Sequence, residues 1–182
     1  MAGIFNHPDE AAALFHHRWT VPILAELHRG RGAKFVTLAH NLGASRSMLQ
    51  TTLAAAIERG WIAHNTGYGH PLRPEYVLTK AGEELGPASV ELWKTLRARE
   101  LEGVGLRKWS VPVLLSLRDG PARFGEIRGQ LGSATDRALS QSLRALGGEQ
   151  LLTREPDERA GAARLYAPTS AAVEVIRPLY AA

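Results

Sequence analysis

The sequence predicts a mainly α fold with small β-wings, in which one domain is written twice in tandem and joined by a long helix. Three observations carry this. The apolar phrase HRWTVPILAEL, beginning at His17, returns as LRKWSVPVLLSL from Leu106. At an offset of 90 residues the register then holds through Trp19 and Trp109, Pro22 and Pro112, Leu27 and Leu117, Leu53 and Leu143, Tyr76 and Tyr166, and Thr79 and Thr169. Each half also passes in the same order from helical to strand periodicity. A match sustained at one offset for so long marks an internal duplication. Only Phe35 to Leu42 slips, to an offset of 89 against Phe124 to Leu131, as a one-residue loop change before the middle helix would produce.

Each repeat opens on a helix. Thr20 and Ser110 are the expected caps, and Pro22 and Pro112 fall in the first turn, where the missing N–H costs nothing. The Trp and the aliphatic residues behind it give a face at i, i+4 spacing, which predicts that Trp19 and Trp109 are equivalent and buried. Gly30 and Gly120 suit the end of this helix. A short helix follows from Phe35 to Leu42 and from Phe124 to Leu131, closed by Gly43 and Gly132. A third helix lies in SRSMLQTTLAAAIERG and in TDRALSQSLRALGGEQ, each burying a pair of leucines four apart. Helix, short turn, helix is the skeleton of a helix-turn-helix. Two strands close each repeat: WIAHN and EYVLT around a tip rich in Gly and Pro, then LLTRE and RLYAP around PDERAGAA. These hairpins are wings. After Thr79, which can cap together with Glu83, a long helix through Trp93 and Leu96 leads into the second repeat. The expected domains are residues 1–103, including this linker helix, and 104–182.

Composition narrows the class. Of 182 residues, 45% are hydrophobic and 22% charged, as in a folded globular chain, and each half is near the lower size limit for a core of its own. No apolar run approaches the roughly 18 residues that a membrane span needs, and the acidic N-terminus is unlike a signal peptide, so the expected location is cytoplasmic, with no membrane partner. The absence of cysteine excludes disulfides, thiolate metal sites and thiol redox switching. A net charge of +4 favours anionic partners.

Three helices and a two-stranded wing, with the phrases RWTVPIL, GYGHPLRPEYVLTKAGEEL and Trp93 in the first half and KWSVPVLLSL, RFGEI and LSQSLRAL in the second, resemble the HxlR-type winged helix-turn-helix regulators, which are MarR-like. The resemblance covers nearly the whole chain. It implies tandem winged helix-turn-helix domains and a DNA-binding transcriptional regulator. Members of that family bind DNA as homodimers, so this chain is similar to a dimer fused into one polypeptide, working as a monomeric pseudo-dimer or as a homodimer. The cysteine that such proteins often carry near the N-terminus would fall near Asn6.

In such a fold the third helix enters the major groove and the wing touches phosphates. Helical phase in the second repeat leaves Thr135, Arg137, Ser140, Gln141 and Arg144 outward, a polar set able to bond base edges and phosphates, with Arg154, Arg159 and Arg164 about the wing. In the first repeat the outward set is Ser45, Arg46, Ser47, Gln50 and Thr51. Thr52 and Ala54 stand where the resemblance implies basic residues, while Tyr68, His70 and Arg73 remain on the wing. Placement of the arginines therefore predicts that the second repeat dominates any reading of DNA.

All seven histidines lie in the first repeat. His16 and His17 beside Trp19, together with Trp61, are candidates to line a pocket for an aromatic or acidic small molecule. The alternative function is thus a small-molecule-binding, self-resistance or biosynthetic protein on a repurposed winged-helix scaffold, enzymatic or not. Adjacent histidines diverge by about 100° on a helix, a poor metal pair, and no metal or cofactor is expected. No nucleophile elbow, phosphate loop or zinc-protease helix occurs, so no catalytic residues are assigned.

Overall fold

The structure is a computed structural model that describes residues 5, 7–65, 74–157 and 164–180. It divides into two compact units: His17–Lys94, and Met1–His16 together with Thr95–Ala182. Helix α1, Pro8–Leu14, precedes the first repeat in sequence but packs in the second unit, against the opening helix of the second repeat. Its start is well specified. Pro8 occupies the first turn, the His7 imidazole Nδ1 accepts the Asp9 N–H at 3.3 Å, and Asp9 and Glu10 lie at the positive end of the helix dipole.

The first-repeat unit is built from α2 (Thr20–Gly30), α3 (Phe35–Leu42), α4 (Arg46–Glu58), the strands β1 (Ile62–His64) and β2 (Tyr76–Leu78), and most of α5 (Lys80–Ala98). β1 and β2 pair antiparallel, with Ile62 opposite Leu78 and His64 opposite Tyr76. Leu24 and Leu27 of α2, Leu38 of α3, Leu49 and Leu53 of α4 and Ile62 of β1 are buried almost completely and form the core.

The second-repeat unit runs through α6 (Glu102–Gly105), α7 (Ser110–Ser116), β3 (Ala122–Arg123), α8 (Phe124–Gln130), α9 (Asp136–Gly148), β4 (Leu152–Pro156), β5 (Arg164–Pro168) and α10 (Ser170–Ile176). Leu114, Leu117, Ile127, Leu139, Leu143 and Leu146 fill its core, joined by Leu14 and Phe15 from the N-terminal segment. The predicted pair of strands here is a three-stranded sheet in the order β3-β5-β4, with Ala122 opposite Tyr166. β3 is two residues long, too short for alternation to reveal it. Its counterpart in the first repeat is a single bridge between Ala33 and Tyr76.

Two expectations about the opening helices are corrected. The residues at the cap positions are Trp19 and Trp109, and neither makes a side-chain capping bond. Thr20 and Ser110 lie one position inside, where a hydroxyl meets the carbonyls of the preceding turn rather than the free amides. The Thr20 hydroxyl donates to the His17 carbonyl at 2.9 Å, and the Ser110 hydroxyl is buried without a hydrogen-bond partner. The tryptophans are also unequal: Trp109 is buried and Trp19 half-buried. At the far end of α2 the left-handed residue is Arg31, one beyond Gly30, with φ of 51°.

The start of α5 follows the expectation for Thr79 but not for Glu83. The Thr79 hydroxyl accepts the Gly82 N–H at 3.2 Å and donates to the Gly60 carbonyl at 2.5 Å. Glu83 turns instead to His28 of α2, with Oε2 at 2.9 Å from Nδ1. A glycine is required at position 82, because a Cβ there would come within 2.0 Å of the Trp61 carbonyl oxygen. Thr169 repeats the device, accepting the Ala172 N–H at 3.3 Å and donating to the Gln150 carbonyl at 2.9 Å. Among the described residues no helix is long and apolar enough to cross a membrane.

Candidate nucleic-acid interface

α4 and α9 are the second helices of the two helix-turn-helix units, and each is 13 residues long. Their N-termini are fixed by short hydroxyl side chains in extended conformation: Ser45 accepts the Met48 N–H at 3.4 Å, and Thr135 accepts the Ala138 N–H at 3.2 Å. These caps satisfy amides that the helix itself leaves open. Gly43, with φ of 60°, makes the left-handed turn before α4 that a side chain would resist.

Leu49 and Leu53, and Leu139 and Leu143, hold the helices to their cores through one stripe. The opposite stripe is exposed. In α9 it carries Arg137, Ser140, Gln141 and Arg144, with Thr135 exposed at the cap. In α4 it carries Arg46, Ser47, Gln50 and Thr51, with Ser45 exposed at the cap. Thr52 is not part of this face. It is 1% exposed, and its hydroxyl donates to the Met48 carbonyl at 2.8 Å, so a basic residue there would have had to be buried.

The approach to the two helices is braced differently. In the first repeat the Arg46 guanidinium lies over the Phe35 ring at 5.4 Å. In the second, Arg128 of α8 spans the turn: its Nε donates to Asp136 Oδ1 at 2.7 Å, and its Nη1 donates to the carbonyls of Leu131 at 3.4 Å and Gly132 at 3.3 Å. Ser133, in the same turn, donates to Asp9 of α1 at 2.6 Å. None of these braces was assigned from the sequence. Opposite charges eight residues apart across Gly132 were a signal for the Arg128 brace; the separation of 124 positions between Asp9 and Ser133 left none for the Ser133 bond.

On the wings, Arg154 of β4 places its guanidinium 5.8 Å from the Tyr166 ring of β5, and Arg164 is exposed at the start of β5. Tyr68, His70, Arg73 and Arg159 lie outside the described residues. Just beyond the end of β4 the Arg123 Nε donates to buried Asp157 at 2.5 Å, and that hydrogen bond raises the Arg123 pKa above its ordinary value.

The residues expected to line a ligand pocket are placed as follows. His16 is exposed and His17 half-buried, both on the turn between α1 and α2 rather than on a helix. Trp61 is half-buried just before β1, with the Arg59 guanidinium over its indole at 5.5 Å. Other histidines have structural work: His7 caps α1, His28 pairs with Glu83, and the His64 ring lies 4.8 Å from that of Tyr76.

Comparison with known proteins finds one family twice along the chain. A family model described as HxlR-like helix-turn-helix matches residues 14–101 and again residues 104–180. Over 82 residues the chain is 39% identical to the uncharacterized HTH-type transcriptional regulator MT3179 of Mycobacterium tuberculosis, covering 45% of this chain and 51% of that protein. Over 47 residues it is 38% identical to the uncharacterized HTH-type transcriptional regulator YtfH of Escherichia coli, covering 26% of this chain and 37% of that protein. The matches thus span about half or less of the length of these curated relatives. No solved structure matches the chain.

Proposed function

The chain belongs to the HxlR-like helix-turn-helix family in both of its halves, and we propose that it is a transcriptional regulator that binds double-stranded DNA through two winged helices carried on one polypeptide. The observation that carries this reading is the exposed polar stripe on α9, with Arg137, Ser140, Gln141 and Arg144 all outward while Leu139 and Leu143 anchor the opposite side. A helix fixed in this way can enter a major groove without loosening its domain. Arg137, in the first turn, is placed to read a base edge. Arg144, two turns on, is placed to meet a phosphate.

The second repeat dominates in this proposal. The positions in α4 that correspond to Arg137 and Arg144 hold Ser47 and Ala54, so α4 brings fewer charges to the backbone. Arg154 and Arg164 add positive charge from the wing of the same repeat. The +4 net charge supplies the weak, sequence-independent attraction on which specific contacts build.

A mobility-shift titration at low salt tests the reading. Duplex DNA is expected to bind at about 50 mM salt with a Kd near or below ~10⁻⁶ M, and failure to bind any duplex there overturns it. Arg144→Ala is expected to weaken binding to all duplexes alike and flatten the salt dependence by about one unit, whereas Arg137→Ala should cost ~1–3 kcal/mol on the preferred site only. If both leave affinity unchanged while Arg46→Ala abolishes binding, the first repeat is the reader.

A further inference from the structure

The outward face of α4 is unlike that of α9 in a way that mere loss of arginines does not describe. Met48 is 45% exposed and Val36, at the second position of α3, is 70% exposed, which makes them two of the three large hydrophobic residues most open to solvent among those described. Their counterparts are Ala138 and Gly125. Ala54 is exposed where the second repeat has Arg144, and Thr51, also exposed, offers a methyl group where the second repeat has Gln141. Met48, Thr51 and Ala54 are three apart in turn, so all three fall within an arc of about 120° on α4.

Side chains on either side of Met48 bond its backbone. Ser45 holds the Met48 amide, and the Thr52 hydroxyl holds the Met48 carbonyl one turn on, so the Met48 peptide groups are tied on both sides. Ser47 falls within the arc and Gln50 beside it, both exposed and able to hydrogen-bond, and Arg46, over Phe35, adds a positive charge at the N-terminal end of the helix. A surface for burial in a protein core would not need such polar neighbours. A surface for the major groove does, because there the thymine C5-methyl is an apolar knob set among hydrogen-bonding base edges and rimmed by phosphates.

Resting on the reading of the chain as a DNA-binding regulator, we propose that the first repeat selects its half-site by apolar contact of Met48, Thr51 and Ala54 with thymine methyl groups, while the second repeat selects its own by arginine. The preferred duplex is then not a true palindrome. One half-site carries thymines under α4, and the other carries a guanine for Arg137, since a bidentate arginine favours guanine in the major groove.

The test uses the full chain and a duplex enriched from a random pool. The half-site of the second repeat is identified as the one whose base preference relaxes in Arg137→Ala. Thymines in the other half-site are then replaced one at a time by deoxyuridine, which removes the methyl group and leaves base pairing intact. Each contacted methyl is expected to be worth roughly fourfold in affinity, the equivalent of one buried CH₂. The loss should vanish in Met48→Ala for one thymine and in Thr51→Ser, which keeps the hydroxyl, for another. Both side chains are exposed, so both variants are expected to melt as the parent does. Full insensitivity to deoxyuridine overturns the proposal while leaving DNA binding in place. So does sensitivity that persists undiminished in both variants, and so does a footprint confined to the half-site of Arg137. Failure to bind any duplex overturns the regulator reading and this proposal together.

Discussion

The two helix-turn-helix units share a helix length, a hydroxyl cap and a buried leucine pair, and differ in nearly everything that faces outward. Ser45 and Thr135 make the same bond, and Leu49 and Leu53 occupy the places of Leu139 and Leu143. Outside, Ser47 faces Arg137 in the alignment, Thr51 faces Gln141 and Ala54 faces Arg144. The lesson is physical. After a duplication each half must still bury its leucines and close its helix ends, since either failure costs a kcal/mol or more of a margin of only about 5–15 kcal/mol. Exposed positions carry no such constraint, and substitutions there usually shift stability by less than about 0.5 kcal/mol. The inward residues therefore keep the record of common origin, and the outward ones record what each half does now.

The largest effect expected concerns α1, which breaks the symmetry of the repeats by packing in the second unit. Leu14 and Phe15 are 1% and 2% exposed. Truncating both to Ala should cost about 5 kcal/mol or more, from the usual 2–5 kcal/mol for a buried Leu and 3–5 kcal/mol for a buried Phe. Hydrogen exchange is the sharpest readout. Amides of α9 are expected to lose protection while those of α4 keep theirs, and the reverse pattern would reassign α1 to the first repeat.

Next comes the pair of tryptophans, alike in sequence and unlike in burial. Trp109→Ala should cost ~3–5 kcal/mol, whereas Trp19→Ala, at a half-buried site, should cost about half as much. Denaturant melts of the two variants decide it, and equal losses would restore the equivalence that the sequence implies.

That pair also shows where sequence reasoning stops. The bounds of the short helix at Phe35 and Leu42, the cap at Thr79 and the outward stripe of α9 were all legible, because each depends on residues within two turns of one another. The unequal burial of Trp19 and Trp109 was not, because local periodicity does not say what covers a side chain from elsewhere. The place of α1 was illegible for the same reason: seven residues carry an amphipathic face but no address. Ser110 misled through its type. A hydroxyl one position inside the cap looks like a cap in the sequence, yet here its oxygen is buried without a hydrogen-bond partner.

A smaller effect would sharpen the contrast between the outward faces of α4 and α9. Ala54→Arg copies Arg144 into the first repeat at an exposed helical position, where Arg fits the helix nearly as well as Ala. If α4 lies in a groove as α9 is proposed to, the salt dependence of DNA binding should steepen by about one unit. An unchanged slope would mean that the two repeats do not meet the duplex in equivalent ways.

The smallest effect expected is on the brace that only the second repeat possesses. Arg128 joins α8 to the turn and to Asp136, and its counterpart in the first repeat is Ala39, so no equivalent bond can form there. Its side chain is 38% exposed and that of Asp136 75%, so solvent screens the ion pair and its contribution to stability is at most about 1 kcal/mol. Arg128→Ala should therefore lower the stability of the second unit by no more than that. The consequence for binding is of a different kind. Removing Arg128 frees Asp136 at the N-terminus of α9, next to Arg137, where an unpaired carboxylate repels phosphate while still favouring the helix dipole. DNA affinity should fall in Arg128→Ala although the fold hardly changes, and Arg128→Ala with Asp136→Asn should recover most of the loss. Should the double variant bind as poorly as the single one, Arg128 acts on the duplex directly rather than by masking Asp136.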